Sequence, residues 1–392
     1  MRSLGERILP LSGNPLGLKS CQISGWSLTV RHSLNIAHVN DYMEMGGSEK
    51  LTAILCRLQR SLHHNASVNC LYSIGVLGEK LQAEGFDVTL HQPPSPFGLM
   101  RSLYRKFKSF TPDVVHCHNP TAAVLGALPA RLAGVRTVIV TRHSLVQPPY
   151  HLRSELRFAV ASCWCDWIVA VCKSTRRNLL AAPWAARAKI VHIYNGIPAA
   201  NRGAVPHAKS GFTLLHIGRL DVDKDQATLL RAVAIARKHI PTLSLWMIGD
   251  GPLGPDLRSL SGELGLNDCV TFFAEQNDVS PFLVAADLFV MSSISEGLPI
   301  ALLEAMSVGL PAIVTDVGGM AEIAQLSGAA TLVPRSDPDA LARAVCEAVA
   351  RPDELPEAGQ QAFRCYQQHF TAELMVNQYI HLYNRCANSL GS

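Results

Sequence analysis

Apolar runs of strand length alternate along this chain with stretches whose apolar positions recur every three or four residues. Leu34-Asn35-Ile36-Ala37-His38-Val39 is the first run with the character of a buried strand. Gly46-Gly47-Ser48-Glu49 follows it and opens a helix carrying Leu51, Ile54, Leu55 and Leu58. Asp113-Val114-Val115-His116 predicts a strand, residues 121–133 a helix, and Thr137-Val138-Ile139-Val140 another strand. Strands over 167–171 and 189–193 complete this series. Residues 199–210 are rich in Ala, Gly, Asn, Pro and Ser and form a plausible linker. A second series gives strands over 213–217, 244–248, 270–273, 288–291, 312–315 and 330–333, and the segment 355–388 is helical with no strand after it. Such alternation predicts parallel sheets. The economical architecture is two doubly wound α/β domains in tandem with a cleft between them. Expected boundaries are an irregular extension over 1–30, interrupted by Gly5, Pro10, Gly13, Pro15, Gly17 and Gly25, a first domain over 31–200, a second over 205–370, and a C-terminal helix over 371–392.

Composition narrows the partners. With 392 residues, 48% hydrophobic and 17% charged, both domains can bury sizeable cores. A net charge of +4 is too weak to argue for nucleic acid, and suits phosphates or an anionic membrane surface. The 11 cysteines are scattered without C-x-x-C spacing, which fits reduced thiols and a cytoplasmic protein. The closest pair, Cys163-Trp164-Cys165, has the wrong spacing for a zinc hairpin. No apolar run reaches the roughly 18 residues of a transmembrane helix. Over 99–108, however, Leu99, Met100, Leu103, Tyr104 and Phe107 oppose Arg101, Arg105 and Lys108, the pattern of a helix lying on a membrane or of an ordinary helix packed on a sheet.

The stretch Ser295-Glu296-Gly297-Leu298-Pro299-Ile300-Ala301-Leu302-Leu303-Glu304 holds the most chemistry. Pro299 suits the first position of a helix, which places Glu296 in the loop before it and Glu304 about one and a half turns inside. Both carboxylates could then aim at one region, together with the free amides and positive dipole end of that helix. Carboxylates accept a diol or sugar hydroxyls; amides accept a phosphate. Two other patterns compete. Gly249-Asp250-Gly251-Pro252-Leu253-Gly254 matches the dinucleotide fingerprint and would make the chain an NAD-dependent oxidoreductase, but it follows the second strand of its domain, and Pro252 removes an amide. Asp221-Val222-Asp223 has the form of a metal clamp, but Arg219 and Lys224 flank it and could neutralise a diphosphate without metal.

Taken in order, these segments resemble the retaining glycosyltransferases of family 4, which have the GT-B fold. The resemblance rests on Gly218-Arg219-Leu220 with Lys224, Ile248 to Pro252, Val270 to Phe273, Ala286 to Val290, Ser295 to Met306, Gly309-Leu310-Pro311 and Gly318 to Glu322. In the first half, Gly46-Gly47-Ser48-Glu49, Asp113 to His118 and Tyr194-Asn195-Gly196-Ile197 are similar to the family's glycine-rich loop, H-x-H strand and domain exit. Coverage is about 33–385. The chain departs from the family at Asp225 and Ala274, where glycine is usual.

That resemblance implies two Rossmann-like domains, a C-terminal helical tail crossing back onto the first, and transfer of a hexosyl group from a nucleoside-diphosphate sugar to a glycan or lipid-linked acceptor, with no cofactor and no metal. It implies phosphate contacts for Arg219 and Lys224, with Gly46 and Gly47 approaching the same phosphates and Gly251 also at the donor. Glu304 would hold the ribose diol. Glu296 would hold donor-sugar hydroxyls beside the amides of Gly297 and Leu298. His118 would reach the sugar or the transferring centre, with His143 a second candidate and His116 packing locally. Surface polysaccharide or lipopolysaccharide assembly at the inner face of the membrane is the setting implied. A nucleotide-sugar epimerase of the same fold is the nearest alternative.

Overall fold

The computed structural model describes residues 33–93, 95–145, 152–182 and 189–388. The expected extension over 1–30 lies outside the described residues. Seven strands form the first sheet: β1 (Asn35–Tyr42), β2 (Asn65–Ser73), β3 (Asp87–Leu90), β4 (Val114–His118), β5 (Thr137–Arg142), β6 (Trp167–Ala170) and β7 (Ile190–His192). Six form the second: β8 (Thr213–Ile217), β9 (Ser244–Ile248), β10 (Val270–Phe273), β11 (Leu288–Met291), β12 (Ala312–Thr315) and β13 (Ala330–Val333). All pairings are parallel, in the orders β3-β2-β1-β4-β5-β6-β7 and β10-β9-β8-β11-β12-β13. Helices cover both faces of such sheets, so β4, β5, β8, β11 and β12 are buried along their whole lengths. Strand order reverses at β1/β4 and at β8/β11. Loops leaving the carboxyl ends of strands at such a point form a crevice.

Two segments are less regular than the sequence pattern predicts. β2 and β3 complete the first sheet although neither is a plain apolar run. Ser67 and Asn69 of β2 are fully buried, and Asn69 bonds the His38 carbonyl (3.2 Å) and His91 Nε2 (3.1 Å). The linker is tied down as well: Ala200 N donates to Ser307 Oγ and Asn201 N to Ser280 Oγ.

In the helix Pro96–Phe110, Leu99, Leu103 and Phe107 are buried in the core of the first domain, as in an ordinary helix packed on a sheet, while Phe97 is exposed and Met100 and Tyr104 are half-buried. No helix among the described residues is long and apolar enough to cross a membrane.

Three of the contacts between the domains run through backbone groups. First, the chain crosses at Ile197, crosses back at Thr371, and the two crossings bond each other: Ile197 N donates to Phe370 O and Ala372 N to Ile197 O, both 3.0 Å. Beyond this point the helix Ala372–Asn388 packs on the helix Gly47–Ser61 and on β5. Its Tyr379 hydroxyl bonds Thr141 Oγ1 and its Tyr383 hydroxyl bonds His116 Nδ1, both at 2.9 Å. Second, Glu322, on the helix Gly318–Ser327, accepts from Lys173 N (3.2 Å) and Ser174 N (2.8 Å) at the start of the helix Lys173–Ala181, and from the Tyr194 hydroxyl. Third, the loop after β11 touches the first domain through its backbone. Asn195 Nδ2 donates to Leu298 O at 2.9 Å and the Cys172 thiol to Gly297 O at 3.4 Å. A Cβ added at Gly297 would overlap the His143 carbonyl oxygen, so only glycine permits this approach.

Two substitutions test these contacts. Leu103→Ala should cost about 2–5 kcal/mol in urea unfolding, the usual range for a fully buried leucine; a loss of only a few tenths would return this face to the surface. Gly297→Ala should force the domains apart and enlarge the radius of gyration in solution scattering. An unchanged profile would show that the approach is not tight.

Candidate active site

A cavity of about 750 Å³ opens between the carboxyl ends of the two sheets. Loops after β1, β5 and β7 line it from the first domain, and loops after β8, β9, β10 and β11 from the second. Two helix starts face each other across it. Gly46 is the extended N-cap of the helix Gly47–Ser61, with no side-chain cap, so its first amides have no backbone partner within the helix. Pro299 is the N-cap of Ile300–Val308, one position ahead of the place expected for it, again with no side-chain cap. Both starts put partial positive charge on the cavity.

Arg219, after β8, has a side chain 71% exposed, held only by Asp221 at 3.6 Å, so it can swing to a ligand. Asp221 is therefore engaged with a cation. Lys224 pairs with Glu296, which also accepts from Ser293 Oγ at 3.0 Å. Asp225 explains the departure from glycine at its position. It takes the left-handed conformation (φ 47°) that glycine would supply, and its carboxylate caps the next helix through Thr228.

Glu304 lies on the cavity wall, and Lys50 of the first domain reaches its carboxylate at 4.0 Å. Burial pushes the Glu304 carboxyl above its ordinary value, with Lys50 opposing and Asp278 adding to the rise. Glu49 is raised for the same reason, opposed by its own backbone amide, Ser48 and, more weakly, Arg219.

Among the expected donor residues, Gly46, Gly47, Arg219, Lys224, Gly251, Glu296, Gly297, Leu298 and Glu304 all line this one cavity. Gly251 has a second reason to be glycine: a Cβ there would overlap the backbone of Leu220. Gly249 likewise presses on Gly218, so the G-x-G pattern serves the packing of the β8 and β9 loops.

His118 is the exception. It is 1% exposed and stands behind the wall, with its Nδ1 3.3 Å from Nε2 of His143, which does line the cavity. His116 is fully buried and bonds Tyr383 and Thr141. Sequence reasoning missed Lys50, His38 and Gln59. Only Lys50 carried a signal, as a cation one turn after the glycine-rich loop.

Comparison with known proteins bears on this geometry. Residues 45–201 match the family model described as Glycosyltransferase Family 4, and residues 211–351 the model described as Glycosyl transferases group 1. The Escherichia coli UDP-Gal:alpha-D-GlcNAc-diphosphoundecaprenol alpha-1,3-galactosyltransferase is 30% identical over 56% of this chain, a match that spans 61% of the relative. The putative glycosyltransferase EpsD of Bacillus subtilis is 27% identical over 68% of the chain and 75% of its own length. A crystal structure of Anabaena HepE in complex with UDP shares the fold with a TM-score of 0.78, covering 90% of this chain and all of that one at 18% identity. With one family model on each domain and the GT-B architecture common to both, the chain belongs to the family 4 type of glycosyltransferases.

Proposed function

We propose that this chain moves a hexosyl group from a UDP-sugar to a hydroxyl of a glycan or lipid-linked acceptor, with retention and without a divalent metal, in polysaccharide or lipopolysaccharide biosynthesis at the cytoplasmic side. The carrying observation is that the cations Lys50, Arg219 and Lys224, the carboxylates Glu296 and Glu304 and two helix starts converge on one interdomain cavity. The UDP in the HepE structure and the UDP-galactose donor of the E. coli relative support uracil as the base.

Each cation of the site is matched with a carboxylate: Lys224 with Glu296, Lys50 with Glu304 and Arg219 with Asp221. A donor offers both partners a substitute. Its diphosphate takes Arg219, Lys224 and the amides at Gly46 and Gly47, while its ribose diol takes Glu304 and its sugar hydroxyls take Glu296. The bond from the anomeric carbon to the phosphate oxygen breaks, and the diphosphate leaves with the electron pair. The acceptor oxygen bonds the same face of the carbon, and its proton passes to the leaving phosphate oxygen. Fixed cations and amides stabilise the charge that develops there.

Calorimetry with UDP, GDP and NADH, with and without EDTA, tests this reading. UDP should bind equally well in EDTA and NADH should not bind; NADH binding without a nucleoside diphosphate would reject it. Glu304→Ala should weaken UDP by about 10–100-fold, the scale of hydrogen bonds to a charged group. Arg219→Ala should lower turnover by about 100-fold, as for a lost oxyanion donor. Protonation is also measurable. The diol needs ionised Glu304, whose carboxyl burial raises while Lys50 opposes and Asp278 adds to the rise. UDP affinity should therefore fall with falling pH before an ordinary carboxylate titrates, and Glu304→Gln should flatten that dependence.

A further inference from the structure

Behind the cavity wall a string of side chains runs from one helix through the middle of β1 and the carboxyl end of β4 to the residue after β5. Gln59 Oε1 bonds His38 Nε2 at 2.9 Å, His38 Nδ1 bonds His118 Nε2 at 3.0 Å, and His118 Nδ1 bonds His143 Nε2 at 3.3 Å. Gln59, His38 and His118 are buried to within 1% of complete. The far nitrogen of the string, His143 Nδ1, is buried and has no hydrogen-bond partner among the described residues, although His143 lines the cavity.

The direction of every bond follows from the first. An amide oxygen only accepts, so His38 carries its hydrogen on Nε2. A neutral imidazole has one ring hydrogen, which leaves His38 Nδ1 bare and able only to accept from His118 Nε2. His118 Nδ1 is then bare in turn and accepts from His143 Nε2. Burial keeps the rings neutral: it pushes His38 and His143 down to about 4 and His118 well below its ordinary value.

We propose that Gln59, His38 and His118 are positioning residues that fix His143 as its Nε2–H tautomer, so that the histidine on the cavity wall offers a bare Nδ1 to a hydroxyl of the bound sugar. The hydroxyl partner rests on the proposed sugar transfer; the tautomer order does not. Nitrogens of His38, His116 and His118 also lie within 4.8 Å of one another, a spacing that could hold a metal ion. Hydrogen bonding favours the string instead. Both nitrogens of each of these rings already have partners, those of His116 being Tyr383 and Thr141.

Ring-nitrogen correlation spectra of the full chain, labelled with 15N-histidine, read the tautomers directly and without substrate. The expected spectrum has protonated Nε2 and bare Nδ1 at His38, His118 and His143. Gln59→Met should leave the melting curve near that of the parent while mixing the tautomers. It should also lower kcat by about 10–100-fold, the usual cost of losing an outer partner of a functional histidine, with little change in donor KM. An Nδ1–H tautomer at His143 in the parent, tautomers unchanged by Gln59→Met, or one equivalent of zinc retained after dialysis and lost in His38→Asn would each overturn the proposal. The expected spectrum from a protein that transfers no sugar would refute the transfer and leave the string standing.

Discussion

The close approach of the Gly297 backbone to the His143 carbonyl sets the pose of the two domains. What neither can do alone is bring two helix starts face to face across a cavity, and that geometry depends on a main chain with no side chain at one position. Glu322 and Asn195 reinforce the contact from either side by bonding backbone groups across the interface. Such bonds tolerate little sliding, because a shift of one residue would leave buried donors and acceptors unpaired. One apolar cluster also runs through both domains, from Ile36 and Val171 to Leu298 and Ile300.

Site electrostatics follow from this pose. A cavity lined by Glu49, Glu275, Glu296 and Glu304 would repel any anion if those charges stood alone. They do not: cations and helix starts oppose them, some from the same domain and some from across the gap. Lys50 and Glu304 belong to different domains, so the balance of charge depends on how nearly the domains are closed. Charge and shape are coupled here, and a ligand that alters one alters the other.

Legibility in the sequence tracks the physics of each part. The six strands of the second sheet were read with the bounds the structure gives them: β8, β11 and β12 are buried along their whole lengths and leave continuous apolar runs, and the half-exposed edge strands β10 and β13 are still mostly apolar. β2 was missed because Ser67 and Asn69 are buried there with hydrogen-bond partners supplied by distant residues. Arg219, Lys224, Glu296 and Glu304 were legible because short loops fix their spacing. His118 was expected on the wall and stands behind it; only the three-dimensional position of His143 decides which ring faces the cavity. The partners of His38 are 21 and 80 residues away in the chain, and no local pattern records them.

The helix Ala372–Asn388 has a consequence for synthesis. Tyr379 and Tyr383 complete the hydrogen bonding of Thr141 and His116 inside the first domain. As the chain leaves the ribosome, the first sheet emerges early, yet these buried polar groups must wait more than two hundred residues for their partners. Nascent chains that stop short lack the seal over that sheet. Completion of translation is therefore built into maturation of the amino-terminal half, and a truncated product is marked for proteolysis by its own unsatisfied interior.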